Sequence, residues 1–93
     1  MATEKLYTVA GCSRLNGPLK MRFANDIMRI KVLAKKGHTD VELFELPRAM
    51  TKREIIQHLR SVGWGDESPE LQEAMDQVLY RNPESAEAPL LHA

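Results

Sequence analysis

Residues 6–24 read Leu6-Tyr7-Thr8-Val9-Ala10-Gly11-Cys12-Ser13-Arg14-Leu15-Asn16-Gly17-Pro18-Leu19-Lys20-Met21-Arg22-Phe23-Ala24, and this stretch decides the fold. Over residues 5–11 the side chains alternate, with Leu6, Thr8 and Ala10 on one side and Tyr7 and Val9 on the other. The segment is rich in residues that suit a pleated strand. Asn16-Gly17 then supplies the strongest short-range hairpin signal, because both residues tolerate positive φ. The return segment 19–24 places Leu19, Met21 and Phe23 on one face and Lys20 and Arg22 on the other. The expectation is an antiparallel hairpin with a basic outer face.

Working toward the C-terminus, residues 25–36 admit two readings. Asn25 can cap a helix, Asp26 complements its positive end, and Ile27, Ile30, Leu33 and Ala34 share one stripe. Lys35-Lys36-Gly37 supplies a cationic last turn and a glycine stop, so the helix is preferred. The competing reading is a strand over 27–33, forming a second hairpin through Lys36-Gly37-His38-Thr39. Residues 39–46 alternate Val41 and Leu43 against Asp40 and Glu42, a strand that Pro47 is expected to end.

Two helices follow. Thr51-Lys52-Arg53-Glu54 is a capping box, with Met50 and Ile55 spaced as a hydrophobic staple. Ile55, Ile56, Leu59 and Val62 form the stripe, and Gly63 closes the helix. Ser68-Pro69-Glu70 opens the second, an N-cap with proline at the first helical position. Leu71, Ala74, Met75, Val78 and Leu79 are its stripe. The expected class is therefore α+β, in the order ββαβαα. It is a small three-stranded antiparallel or mixed sheet, a hairpin plus one strand, packed by helices. One domain is expected over residues 1–82. Residues 83–93, with Glu84-Ser85-Ala86-Glu87-Ala88-Pro89, show no periodicity and read as a disordered tail.

Composition narrows the function. Apolar residues make up 43% and charged residues 28%, which argues against global disorder. The N-terminus lacks an apolar stretch behind a basic start, and no apolar run approaches the roughly 20 residues of a membrane span. Cys12 is the single cysteine, which excludes an internal disulfide framework and a cysteine-based zinc site. A cytoplasmic location is the simplest expectation.

No constellation for chemistry emerges. His38, His58, His92 and Cys12 are scattered, and no histidine pair has the i, i+4 spacing of a metal site. Cys12 has only Arg14 nearby to activate it, so a buried or rim thiol is the better reading. Glu70, Glu73 and Asp76 fall on the exposed side of the last helix. Gly63-Trp64-Gly65 lacks the lysine and further glycines of a phosphate loop. It reads as a helix cap whose Trp64 packs back on the helical pair, the sharper alternative being Trp64 as an exposed interface anchor. No catalytic, cofactor or metal residues are assigned, and an enzyme is the least expected class.

Charge is split along the chain. Residues 1–40 carry eight Lys/Arg against three Asp/Glu, a balance of +5, and residues 41–93 carry five against ten, a balance of −5. The simplest consequence is attraction between the two halves. The alternative is a functional basic surface built from Lys20, Arg22, Arg29, Lys31, Lys35 and Lys36. The helical pair 51–62 and 68–81 looks like a helix-turn-helix, but its second helix would set Glu70, Glu73 and Asp76 against phosphates.

Arg22-Phe23-Ala24-Asn25-Asp26, Lys36-Gly37-His38-Thr39-Asp40, Glu45-Leu46-Pro47 and Met50-Thr51-Lys52 together carry a resemblance over residues 5–60. On them the chain resembles small accessory proteins, without assigned activity, of tailed bacteriophages, notably those of marine cyanobacteria. The resemblance implies a short phage protein that binds and redirects a host protein, and it transfers no site residues. The leading expectation is thus a non-enzymatic protein-binding module, with Trp64 and the six basic residues as candidate contacts. Nucleic-acid binding through the basic surface is the first alternative, and self-assembly into a homo-oligomer through a sheet edge the second.

Overall fold

The hairpin forms where the sequence places it, and the rest of the chain is arranged around its first strand. In the computed structural model, which describes residues 4–82, β1 runs over Tyr7–Arg14 and β2 over Leu19–Ala24. They pair antiparallel from Val9–Ala24 to Arg14–Leu19 without a bulge. The connection is a four-residue loop, 15–18, in which Asn16 alone takes a left-handed conformation (φ 53°). The Asn-Gly signal thus marks the turn, but the two-residue type does not form.

After Asp26 comes α1, Ile27–Lys31, which tightens into a 3-10 turn over Val32–Lys36. This settles the helix against the strand. The cap is Asp26, whose carboxylate accepts from the Met28 N–H at 2.9 Å. Asn25 instead ties the start of β1, accepting from the Thr8 N–H at 3.0 Å and donating to the Leu6 carbonyl at 3.2 Å. Ile27 and Ile30 share one side of α1, and because the chain is 3-10 from Val32, Leu33 continues that ridge while Ala34 turns to solvent.

The third strand, β3, spans Thr39–Met50 and pairs antiparallel with β1, giving the order β2-β1-β3. It runs past Pro47, contrary to the expected stop. Val9 pairs with Glu45 while Tyr7 pairs with Met50, so residues 46–49 bulge from the ladder. Pro47 lies where the ladder is already broken on an edge strand, so its missing N–H costs no hydrogen bond there.

Then α2, Lys52–Ser61, and α3, Pro69–Arg81, close the fold. The capping box is complete: the Thr51 N–H donates to Glu54 Oε1 at 3.0 Å, and the Glu54 N–H to Thr51 Oγ1 at 3.2 Å. At the other end Gly63 (φ 82°) sets a Schellman cap, with the Gly63 N–H on the Arg60 carbonyl and the Trp64 N–H on the Leu59 carbonyl. Ser68 caps α3 by accepting from the Leu71 N–H at 3.1 Å.

Both faces of the sheet are covered, where the hairpin was expected to keep a basic outer face. On one face Ala10, Cys12, Leu19, Met21 and Met50 pack with Ile55, Ile56 and Leu59 of α2 and Leu71, Ala74 and Met75 of α3. On the other, Val9 and Ala24 pack beneath Ile30 of α1. Val62 is exposed because the helix has already ended there. The register shift between Tyr7 and Val9 turns Tyr7 to the α2/α3 side, away from the face it was expected to share with Val9. No helix among the described residues is long and apolar enough to cross a membrane. Residues 83–93, read as a tail, lie outside the described residues.

Candidate partner-binding surface

The glycine stop after the 3-10 turn positions the first polar contact. Gly37 (φ 94°) forms a Schellman turn, with the His38 N–H on the Leu33 carbonyl at 3.1 Å. That turn delivers the His38 ring onto β1, where Nδ1 stands 2.8 Å from the fully buried Ser13 Oγ. Arg22, across the ladder on β2, donates its Nε to the same oxygen at 2.8 Å. The hydroxyl thus accepts from the guanidinium and shares a second hydrogen bond with the imidazole. A serine so enclosed bolts three segments together. It also fixes the Arg22 guanidinium at the rim of a groove.

That groove, about 460 Å³, lies between β2 and the α1/3-10 segment. Arg22, Arg29 and Lys36 line it, and Lys52 joins them from the first turn of α2. Lys52 Nζ stands 5.3 Å from the Phe23 ring centroid and 5.9 Å from that of Tyr7, over two rings 5.7 Å apart. The sequence grouped Lys20, Arg22, Arg29, Lys31, Lys35 and Lys36. The structure brings Arg22, Arg29 and Lys36 to this groove and leaves Lys31 and Lys35 exposed outside its lining. Lys20 instead lines a second groove, about 580 Å³, between β2 and α3. Lys52 was missed as a member of this cation cluster because its only sequence signal is its place in the capping box.

Trp64 belongs elsewhere. It is half-buried and packs on the α2/α3 core, held by the Schellman cap, which is the packing expected of it. His58 likewise meets Phe44 edge-on, with centroids 5.9 Å apart.

Several groups with nucleophilic or acid–base potential are held in packing or in ion pairs. Cys12 is buried, and that burial, reinforced by Glu42, pushes its thiol up to about 11. Glu70, at the start of α3, makes a two-pronged pair with Arg14, Oε2 to NH1 and Oε1 to NH2 both at 2.6 Å. It also accepts the Leu19 N–H at 3.2 Å. These bonds, Arg14 first, hold its carboxyl down at about 2. Arg14 Nε in turn meets Asp40 at 3.0 Å. Asp76 pairs with Arg60 at 2.8 Å. Among the described residues, no group of three or more His, Cys, Asp or Glu could hold a metal ion.

No protein-family model, curated protein or solved structure matches the chain.

Proposed function

We propose that this chain is a non-enzymatic binding module that takes a polypeptide partner along the basic groove beside β2. It would act in the cytoplasm as an accessory protein that binds and modulates a host protein, in keeping with the phage proteins it resembles. One observation carries the reading: Arg22, Arg29, Lys36 and Lys52 come from four elements to a single groove that also exposes parts of Phe23 and Leu33. Cations around a partly apolar cleft suit an acidic, partly apolar polypeptide. The test is affinity capture from host lysate at low and moderate salt. A stoichiometric polypeptide is expected with the native chain and lost with Arg29→Glu/Lys36→Glu. Recovery of nothing, or equal recovery by that variant, contradicts the proposal.

Nucleic-acid binding is the second reading, favoured by the same cations beside the Tyr7–Phe23 ring pair. Lys52 sits over both rings, which leaves less of them for base stacking, and Glu70 and Glu73 line the adjoining groove. Gel-shift titration against single-stranded DNA separates the two. Binding that falls steeply with salt supports this second reading, and no binding removes it.

A further inference from the structure

The two grooves flanking β2 meet along its outer edge, and that edge is an unpaired strand. In the order β2-β1-β3, β2 has a partner on one side alone among the described residues. Its Leu19 N–H points away from β1 to Glu70. The β1–β2 ladder has no bulge, so strict alternation turns the N–H and C=O groups of Met21 and Phe23 to the same open side. Glu70 shows what this edge accepts, since its carboxylate already occupies the first N–H in the row. Among the described residues, no other backbone bonds the Met21 and Phe23 groups on that side.

The walls specify the side chains of that backbone. Successive residues of an added strand point to opposite faces of the sheet. One set would enter the groove on the α3 side, beside Leu19, Met21, Ala74 and Val78, whose rim carries charges of both signs including Lys20, Glu73 and Arg81. The other would enter the groove on the α1 side, among Arg22, Arg29 and Lys36. Arg22 spends its Nε on Ser13 and keeps its terminal nitrogens for this groove. We infer that β2 receives an extended segment alternating apolar and acidic residues, which adds to the sheet as a fourth strand. This rests on the binding role proposed above and names the chemistry and geometry of the partner.

Charge selects this occupant over the others. Antiparallel pairing of β2 with a second copy would bring Lys20 and Arg22 against their own kind, the device by which edge strands resist self-pairing. A nucleic-acid strand would leave the Met21 and Phe23 backbone groups unused and meet Glu73 on the α3 wall.

A synthetic blocked heptapeptide of alternating valine and glutamate serves as the probe, titrated against the full chain by calorimetry and by amide exchange. Binding is expected, with the Met21 and Phe23 amides gaining protection. N-methylating the peptide amides that face β2 should weaken it roughly tenfold, as two backbone bonds are lost at unchanged charge. Replacing glutamate by lysine should abolish it. Equal binding of the N-methylated peptide overturns strand addition while leaving the basic groove as the proposed binding surface. Failure of the peptide to bind, while Arg29→Glu/Lys36→Glu still loses the captured partner, overturns this inference alone. Protection of the same amides without peptide, accompanied by dimer in sedimentation, assigns the edge to a second copy and also overturns it. So does displacement of the peptide by an equimolar single-stranded oligonucleotide.

Discussion

Gly11 sits mid-way along the central strand, opposite Arg22 on one side and Leu43 on the other. A Cβ there would run into the carbonyl oxygen of Glu42, a backbone atom that cannot swing aside as a side chain could. Gly11→Ala is therefore expected to lower the urea midpoint by the equivalent of about 1–3 kcal/mol, the usual cost of overpacking. An unchanged midpoint would show that β3 does not lie as close to β1 as described. Cys12, the next residue, packs on the opposite face, and its thiol ionises from about 11 instead of the ordinary 9.0. The unfolded chain thus releases this proton at lower pH than the folded one, and stability should decline between pH 9.0 and about 11. Iodoacetamide labelling followed by mass spectrometry checks the same burial. Modification should be slow in the native protein at pH 8 and fast in urea. Ser13→Ala would leave Arg22 Nε without its acceptor, at a cost of roughly 1–3 kcal/mol.

Among the elements, α2 and α3 are held by different means. The capping box of α2 satisfies its own N-terminus, so Thr51→Ala should cost about 1 kcal/mol with Thr51→Ser largely restoring it, measured by thermal unfolding. The start of α3 is held by Glu70, which ties it to Arg14 and to the Leu19 N–H of the hairpin. Its carboxyl titrates at about 2 when folded and near 4.5 when free. The stabilisation is complete above the free value and is lost as pH falls through the folded one. Acid titration of the native chain should show stability dropping between pH 4.5 and about 2, a component missing from Glu70→Gln. The helix caps were legible because each is made within a few residues: Thr51 with Glu54, Ser68 with Leu71, Gly63 with Arg60. The Arg14–Glu70 pair spans 56 residues and leaves no local trace. Pro47 was misread for a related reason, since the bulge that accommodates it depends on the β1 partner. The placement of α1 on the opposite face from α2 and α3 is also long-range. Helical periodicity in the sequence shows which stripe is apolar and not which side of the sheet receives it.

Across the whole molecule, the charge split shows itself in two places. Attraction between the halves appears as Arg14 bound to Glu70. Convergence appears at β2, where Arg22, Arg29 and Lys36 of the basic half are joined by Lys52 of the acidic half. Half of the candidate surface was readable as a cluster of cations along the chain. The other half, the separation of Lys31 and Lys35 from the groove and the arrival of Lys52, follows from how α1 and α2 dock. This sorting makes the basic groove testable residue by residue. Once a partner has been captured, its affinity should be measured by calorimetry for the single variants Arg29→Glu, Lys36→Glu, Lys31→Glu and Lys35→Glu. Reversal at Arg29 or Lys36 is expected to weaken binding about tenfold, whereas reversal at Lys31 or Lys35 should change it by less than about threefold. Equal losses at all four positions, or larger losses at Lys31 and Lys35, would contradict a partner seated in the groove beside β2.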